Sequence, residues 1–366
     1  MTTEVFWADM RTDKGSGLLD KIEKLYTNAG FAKLISPKDL VAIKLHFGEP
    51  GNTSYVHAPF VRRVVDRVKD SGGKPFLTDT NTLYVGLRAN AVNHLQSAVE
   101  NGFAFAVAGA PLIIADGLTG KDFVSVPIQQ KNFKEVKIGS AIYHADTLLV
   151  ISHFKGHQVI GFGGALKNLG MGSGSRGGKQ MMHTDVLPVI RTEKCQGCGK
   201  CLSWCPGKAI TLTERKASIN ASTCLGCGEC TVTCPYRAIA ISWKTSPEAL
   251  QEKMVEYAFG AQKDKKGKIG FINFVIGVTP DCDCLSWSDA PIVNDVGILA
   301  SQDPVALDQA CFDLLNRQIG LPNTRLDNCL KATDKFQAIH QIDGTNQLAY
   351  AEQIGMGSRT YQLIKI

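Results

Sequence analysis

The chain has no long apolar run. Its best candidate, KIGFINFVIGV at 268–278, falls short of the ~20 consecutive apolar residues that a spanning helix needs, which excludes a membrane helix. The opening residues, MTTEVFWADMRTDK, carry neither the basic stretch nor the apolar core of a secretory leader. The expectation is therefore a soluble, cytoplasmic protein whose thiols stay reduced, and a disulfide framework is excluded with it. Basic residues are not interleaved with aromatics and fit no recognised motif, which argues against a nucleic-acid partner. Phosphate loops are missing too. Gly172, Gly174 and Gly177 fit GxGxxG, but no strand immediately precedes them. A Walker lysine at Lys179 would need glycine at Ser173 and Ser or Thr at Gln180.

What the chain has is cysteine in a repeated pattern. Of its 366 residues, 12 are cysteine. CQGCGKCLSWCP places Cys195, Cys198, Cys201 and Cys205 before Pro206, and CLGCGECTVTCP places Cys224, Cys227, Cys230 and Cys234 before Pro235. The copies are offset by 29 residues at every cysteine, and Lys208, Ala209 and Ile210 are echoed by Arg237, Ala238 and Ile239. Each run reads C-x2-C-x2-C-x3-C-P, the spacing that wraps a cubic iron–sulfur cluster. Gly197, Gly199, Gly226 and Gly228 permit the tight turns that let three thiolates converge. The fourth cysteine of such a run binds the other cube. One [4Fe–4S] cluster is thus assigned to Cys195, Cys198, Cys201 and Cys234, and the second to Cys224, Cys227, Cys230 and Cys205. Two four-cysteine zinc sites are the competing arrangement, but zinc ribbons use separated C-x2-C pairs without the continuation. The segment, roughly 191–244, resembles a bacterial two-cluster ferredoxin over its whole length.

Charge is unevenly placed. Residues 191–244 hold eight cations and three anions, +5 of the chain's +6. A basic cluster face would steer an acidic redox partner of the ferredoxin or flavodoxin class toward it. The plainer alternative is that these lysines solubilise the module and offset negative clusters.

The remainder alternates strand-like and helix-like segments. LVAIKLHF (40–47), PFLTDT (75–80), DTLLVISHF (146–154), KIGFINFVIGV (268–278) and GILASQ (297–302) read as strands. HAPFVRRVVDRVKDSGG (57–73), a run around 88–101, PEALQEKMVEYAFG (247–260) and DPVALDQACFDLLNRQIG (303–320) read as helices, the last capped by Asp303 and ended by Gly320. The fold class is α/β: a mostly parallel sheet covered by helices, formed by 1–190 together with 245–366, with an inserted α+β ferredoxin-like module at 191–244 whose ends should lie close together.

Residues 151–183 form a second unusual stretch, with nine glycines among His153, Lys155, His157, Lys167, Arg176, Lys179 and His183. It reads as a ligand-binding loop after a strand, the place where α/β proteins put their sites. Gly163 and Gly164, with Arg176 and Lys179, are candidates for holding an anionic cofactor or substrate. The histidines either bind metal and shuttle protons or are buried structural groups. Downstream, alternation along TPDCDCLSW puts Cys282 and Cys284 on one face and Asp281 and Asp283 on the other. This is a candidate second metal site, or a reduced pair of small core residues. Cys311 and Cys329 read as packing residues.

The phrases KLHFGEPGNTSYVHAPFVRRVVD, TDTNTLYVGLRANAVNHL, HFKGHQVIGFGGALKNLGMGSGSR and DCDC resemble the bacterial and archaeal iron–sulfur family known as domain of unknown function 362. The resemblance implies that both halves belong to one architecture, and it supplies no reaction. His157, Lys167 and His183, with GFGGALKN around the lysine, are also similar to the nickel-pincer lactate racemase family. That resemblance implies an acid–base role for His157, a cofactor tether at Lys167 and a nickel ligand at His183, and hence an isomerase alternative. The leading expectation is a redox protein whose two clusters relay electrons to a site built from His153, Lys155, His157, Lys167 and His183, with His46 and the 281–284 segment nearby. A non-catalytic electron carrier docking on a partner enzyme is the expectation from a different class.

Overall fold

The structure is a computed structural model describing residues 3–84, 86–183, 188–205, 207–224, 229–240 and 246–366. Cys227, Pro206, Gly226 and Gly228 of the cysteine repeat lie outside the described residues.

One eight-stranded sheet organises the fold. Its strands are β1 (Thr3–Ala8), β2 (Leu40–Lys44), β3 (Lys74–Asp79), β4 (Leu112–Ile114), β5 (Thr147–His153), β6 (Ile269–Val275), β7 (Gly297–Ser301) and β8 (Tyr361–Lys365). Their spatial order is β8-β1-β7-β6-β5-β2-β3-β4. β7 runs antiparallel to both neighbours, and every other pairing is parallel. The mostly parallel sheet expected from the alternation is present, with 297–302 as its one reversed member.

β5 and β6 are central, and all of their residues are buried. Period-two alternation divides their side chains between two cores. Leu148, Val150, Phe271 and Val275 enter one, and Leu149, Ile151, Ile272 and Phe274 the other. On one face pack α1 (Leu18–Asn28) and α2 (Ala58–Asp70). On the opposite face lie α3 (Ala165–Ser173), α5 (Pro247–Gln262) and α6 (Pro304–Asn316), while α4 (Arg176–His183) follows α3 directly. A parallel sheet covered on both faces needs continuous apolar strands, which is why these runs stood out in the sequence.

Asp303 caps α6 as expected, accepting from the Val305 and Ala306 amides at 2.8 and 2.9 Å. The helix ends at Asn316 rather than at Gly320, which instead bridges to Val293. The presumed loop at 151–183 is also more regular than expected. A short hairpin, Lys155–His157 against Gly161–Gly163, leads into α3 and α4. Around the cysteine repeat, Val189–Ile190 pairs antiparallel with Ile239–Ala240, and Ile210–Thr213 pairs with Lys216–Ile219. Among the described residues, no helix is long and apolar enough to cross a membrane.

Candidate functional site

A cavity of about 470 Å³ opens beyond the carboxyl ends of β2, β3 and β5. Parallel strands deliver residues there because each ends at the same edge of the sheet. β2 contributes Lys44 and, just beyond it, His46; β3 contributes Asp79 and then Thr80; β5 contributes Ser152 and His153. Helices α3 and α4 complete the wall with Lys167, Asn168, Lys179 and His183. The cationic lining (Lys44, Arg88, Lys155, Lys167 and Lys179) faces one lining carboxylate, Asp79.

Those cations are anchored from behind. The Lys44 ammonium lies 2.9 Å from Asp79 Oδ1 and 2.6 Å from Asn168 Oδ1. Arg88 pairs with Glu49 at 2.8 Å and reaches Asp79 at 3.4 Å. Burial alone would raise the Asp79 carboxyl, but Lys44 and the surrounding cations hold it well below the usual carboxylate range. Lys179 donates to Thr80 Oγ1 and to the Gly174 carbonyl, and burial lowers its ammonium to about 8 against the pull of Asp116. His183 lines the same cavity, and burial, then the charge of His157, lowers it to about 3.

The segment 281–284 closes another wall. Asp283 is fully buried and accepts from His153 Nδ1 at 2.9 Å, with the Lys155 ammonium 3.4 Å away. The second ring nitrogen of His153 meets the Ile276 carbonyl at 3.0 Å. Both nitrogens are thus occupied in holding the segment in place. The Lys167 ammonium reaches Cys282 Sγ at 3.2 Å, and the Cys284 amide reaches the same sulfur at 3.4 Å. His157, Cys282 and Cys284 each offer a ligand atom within 4.8 Å of the others. The neighbouring Cys284 thiol, then Lys167 and His157, draw the Cys282 thiol well below its ordinary value, while the hydrogen bond to Cys282 and burial push Cys284 well above. The two thiols are therefore electrostatically unequal, and Cys282 is the sulfur whose surroundings favour the thiolate.

His157 Nδ1 accepts from the Val159 and Ile160 amides at 3.1 and 3.3 Å. Burial, then Lys167, lowers this ring to about 4, so it is neutral at pH 7 with its proton on Nε2. A metal-ligating histidine has the opposite arrangement, donating from its second nitrogen and leaving the first as a lone pair. As arranged, His157 is a donor toward the sulfur pair. The aspartates of the segment diverge, since Asp281 turns to Arg325 at 3.5 Å and Asp283 to His153.

The structure thus gathers His46, His153, Lys155, His157, Lys167, Lys179, His183 and Cys284 on one cavity, with Cys282 and Asp283 directly behind it. Gly163 and Gly164 serve packing. A Cβ at Gly163 would meet Lys167 Cδ at 2.5 Å, and one at Gly164 would meet Asp308 Oδ1 at 2.3 Å. Arg176 packs on Gly120 and donates its amide to Asp116 at 3.2 Å. Asp308 is fully buried at the head of α3, accepting from the Ala165 and Leu166 amides, and so sets the helix that carries Lys167. The sequence reading assigned no role to Lys44, Asp79, Arg88 or Asn168. The available signal was a lysine and an aspartate ending two apolar strands.

In the cysteine repeat, Cys195, Cys198, Cys201 and Cys234 line one hollow with Ile190, Leu212, Ala217 and Ile239. Backbone amides point at the sulfurs: Ala217 at Cys195 (3.4 Å), Ala209 at Cys205 and Ala238 at Cys234 (both 3.3 Å). Lys208 and Arg237, equivalent in the two copies, both adopt left-handed backbone with φ of 48° and 51°. A hollow lined by three sulfurs of one copy and the fourth of the other, ringed by apolar side chains and amide donors, fits a cubic iron–sulfur cluster. The other expected set, Cys224, Cys227, Cys230 and Cys205, contains Cys227, which lies outside the described residues.

The family model for domain of unknown function DUF362 matches residues 41–313. The chain belongs to this family. No curated protein matches the DUF362 chain in sequence. Among solved structures it is similar to the lactate racemase apoprotein from Thermoanaerobacterium thermosaccharolyticum, at 12% identity and a TM-score of 0.39. That similarity covers 75% of this chain and 51% of the racemase, so the chain spans about half of the racemase's length.

Proposed function

We propose that this DUF362 protein is an iron–sulfur oxidoreductase in which two [4Fe–4S] clusters exchange electrons with a small anionic molecule bound in the 470 Å³ cavity. Cys195, Cys198, Cys201 and Cys234 would hold one cluster, and Cys224, Cys227, Cys230 and Cys205 the other. Such clusters supply electrons singly. The observation that carries the reading is the position of α4. It lends Lys179 and His183 to the cavity and packs against the helix Glu229–Thr233, which bears Cys230. Gln180 and Thr231 are 3.4 Å apart across that contact. One eight-residue helix therefore touches both the cavity and the cysteine module.

Within the cavity, lysines 155, 167 and 179 neutralise and orient an anion. Asp79 and Asp283 keep their cations in place. His157, neutral at pH 7, is able to move a proton at Nε2. The basic surface of 191–244 supports an acidic redox protein as the external partner.

The test uses anaerobically purified protein and its Lys155→Met and Lys167→Met variants. Each is reduced with dithionite and mixed with small anionic oxidants while cluster reoxidation is followed optically. Acceleration by an anion in the wild type that is lost in both variants, at unchanged iron content, supports the reading. Variants that reoxidise at the wild-type rate with every acceptor would place the site elsewhere.

A further inference from the structure

The cavity wall holds two thiols that the reading above leaves without a task. Cys282 and Cys284 are separated by one residue, and their sulfurs lie within 4.8 Å of each other. Bridging needs the sulfurs to close to ~2 Å, a movement that side-chain rotation supplies when the Cβ atoms already face one another. The surroundings favour a thiolate on Cys282: Lys167 Nζ lies at 3.2 Å, the Cys284 amide at 3.4 Å, and a ring nitrogen of His157 belongs to the same cluster. Cys284 lines the cavity, whereas Cys282 is 1% exposed. One thiol faces whatever the cavity binds, and a shielded thiolate stands behind it. This asymmetry suits a couple in which an outer sulfur reacts and an inner one resolves.

We propose that Cys282 and Cys284 form a reversible dithiol–disulfide couple, a two-electron station on the wall of the cavity. The step balances as follows. The disulfide between Cys282 and Cys284 accepts two electrons and one proton, its S–S bond breaks, and it yields the Cys282 thiolate and the Cys284 thiol. In the other direction the thiolate and thiol lose the same two electrons and one proton and the bond forms. The reductant is the pair of [4Fe–4S] clusters, one electron from each, so this direction rests on the function proposed above. The oxidant is a small anionic two-electron acceptor of the disulfide class. Lys167 is a positioning residue, keeping charge on the inner sulfur. A couple of this kind also explains why two cysteines sit together beside a charged cavity when the other buried thiol outside the repeat, Cys311, packs within α6.

The experiment uses the intact, iron-loaded protein under argon. It is treated briefly with diamide, quenched with acid and alkylated, and the peptide spanning 282–284 is weighed. The expected result is the loss of two hydrogens and of both alkylation sites in that peptide, reversed by dithiothreitol, while Cys311 stays unmodified. In Lys167→Met, alkylation at pH 6.5 should slow about tenfold, and Lys167→Arg should restore most of the rate. Two single thiols that alkylate independently after diamide, or a tightly held metal ion lost together with the pair in Cys284→Ser, would overturn the couple. A second arm adds reduced methyl viologen to the diamide-treated protein. Reopening of the disulfide in loaded protein, and its persistence in Cys198→Ser protein lacking a cluster, supports the relay. Disulfide formation without reopening keeps the couple and sinks the relay.

Discussion

The cysteine module and the glycine-rich cavity wall use the same two residue types for different physical reasons. In the module, Gly197 and Gly199 have φ of 64° and 73°, a backbone that L side chains rarely adopt, and at Gly199, where nothing lies within 4 Å of a Cβ, conformation alone asks for glycine. In the wall, most glycines have ordinary dihedrals and no room. A Cβ at Gly156 would lie 1.9 Å from the Pro280 carbonyl, and one at Gly170 would lie 2.1 Å from the Met254 carbonyl. Sulfur differs in the same way. Cys195, Cys205 and Cys234 are each met by a backbone amide, a neutral donor suited to a delocalised cluster charge. Cys282 is met by a lysine ammonium, which localises charge on one atom. The cysteine segment thus offers its sulfurs neutral backbone donors, whereas the wall is protein packed on protein around a polar space.

The sharpest way to break this comparison is Cys234→Ser. If the hollow with Cys195, Cys198 and Cys201 holds one cluster, the variant should lose about half of its iron. Those three cysteines should become reactive to alkylation, while Cys224, Cys230 and Cys205 stay protected. Peptide mass mapping with iron analysis reads both. Exposure of Cys224 and Cys230 instead would mean that each copy closes on its own cluster.

Much of this division was legible in the sequence. The eight-cysteine spacing was plain because the pattern is local to a few residues, and Cys195, Cys198, Cys201 and Cys234 do line one hollow. β5 and β6 announced themselves because strands buried on both faces must be apolar throughout. The outer strand β8 and its neighbour β1 went unread, since half-exposed positions blur the pattern. The glycine density at 151–183 was plain, but its cause was not. The atoms that crowd those glycines belong to Pro280, Met254 and Asp308, far along the chain, and no local pattern carries such contacts. Lys44, Asp79 and Arg88 were missed for a related reason: a buried ionic network looks, in sequence, like scattered surface charge.

A second test sharpens the contrast between the two kinds of glycine. Gly170→Ala forces a methyl group into the α3–α5 crossing, where the neighbour is rigid backbone, and should cost about 2–3 kcal/mol. Gly199→Ala meets nothing within 4 Å and carries only the left-handed conformational penalty, about 1 kcal/mol. Calorimetry on iron-loaded protein should show the first variant melting several degrees below the second. Equal losses would mean that the wall tolerates movement and that its glycines serve a ligand after all.

The smallest effect concerns charge in the cavity. Lys179 is buried beside Asp116, Asp79, Lys44 and Arg88, and its ammonium is held down to about 8. It is charged below that pH and loses its charge as pH rises through it. Sulfate, whose own charge is constant in this range, should therefore bind more weakly at pH 9 than at pH 7. If one ammonium contact is worth about 1–1.5 kcal/mol, the drop is about five- to tenfold. Stability should move the other way. The native protein holds this proton less tightly than the unfolded chain, so the group favours folding increasingly as pH rises from about 8 toward its unfolded value of 10.5. Lys179→Met should flatten both trends, read by calorimetric titration and by denaturant midpoint. A cavity that binds sulfate equally at both pH values in the wild type would remove Lys179 from the anion site and leave the remaining lysines to carry it.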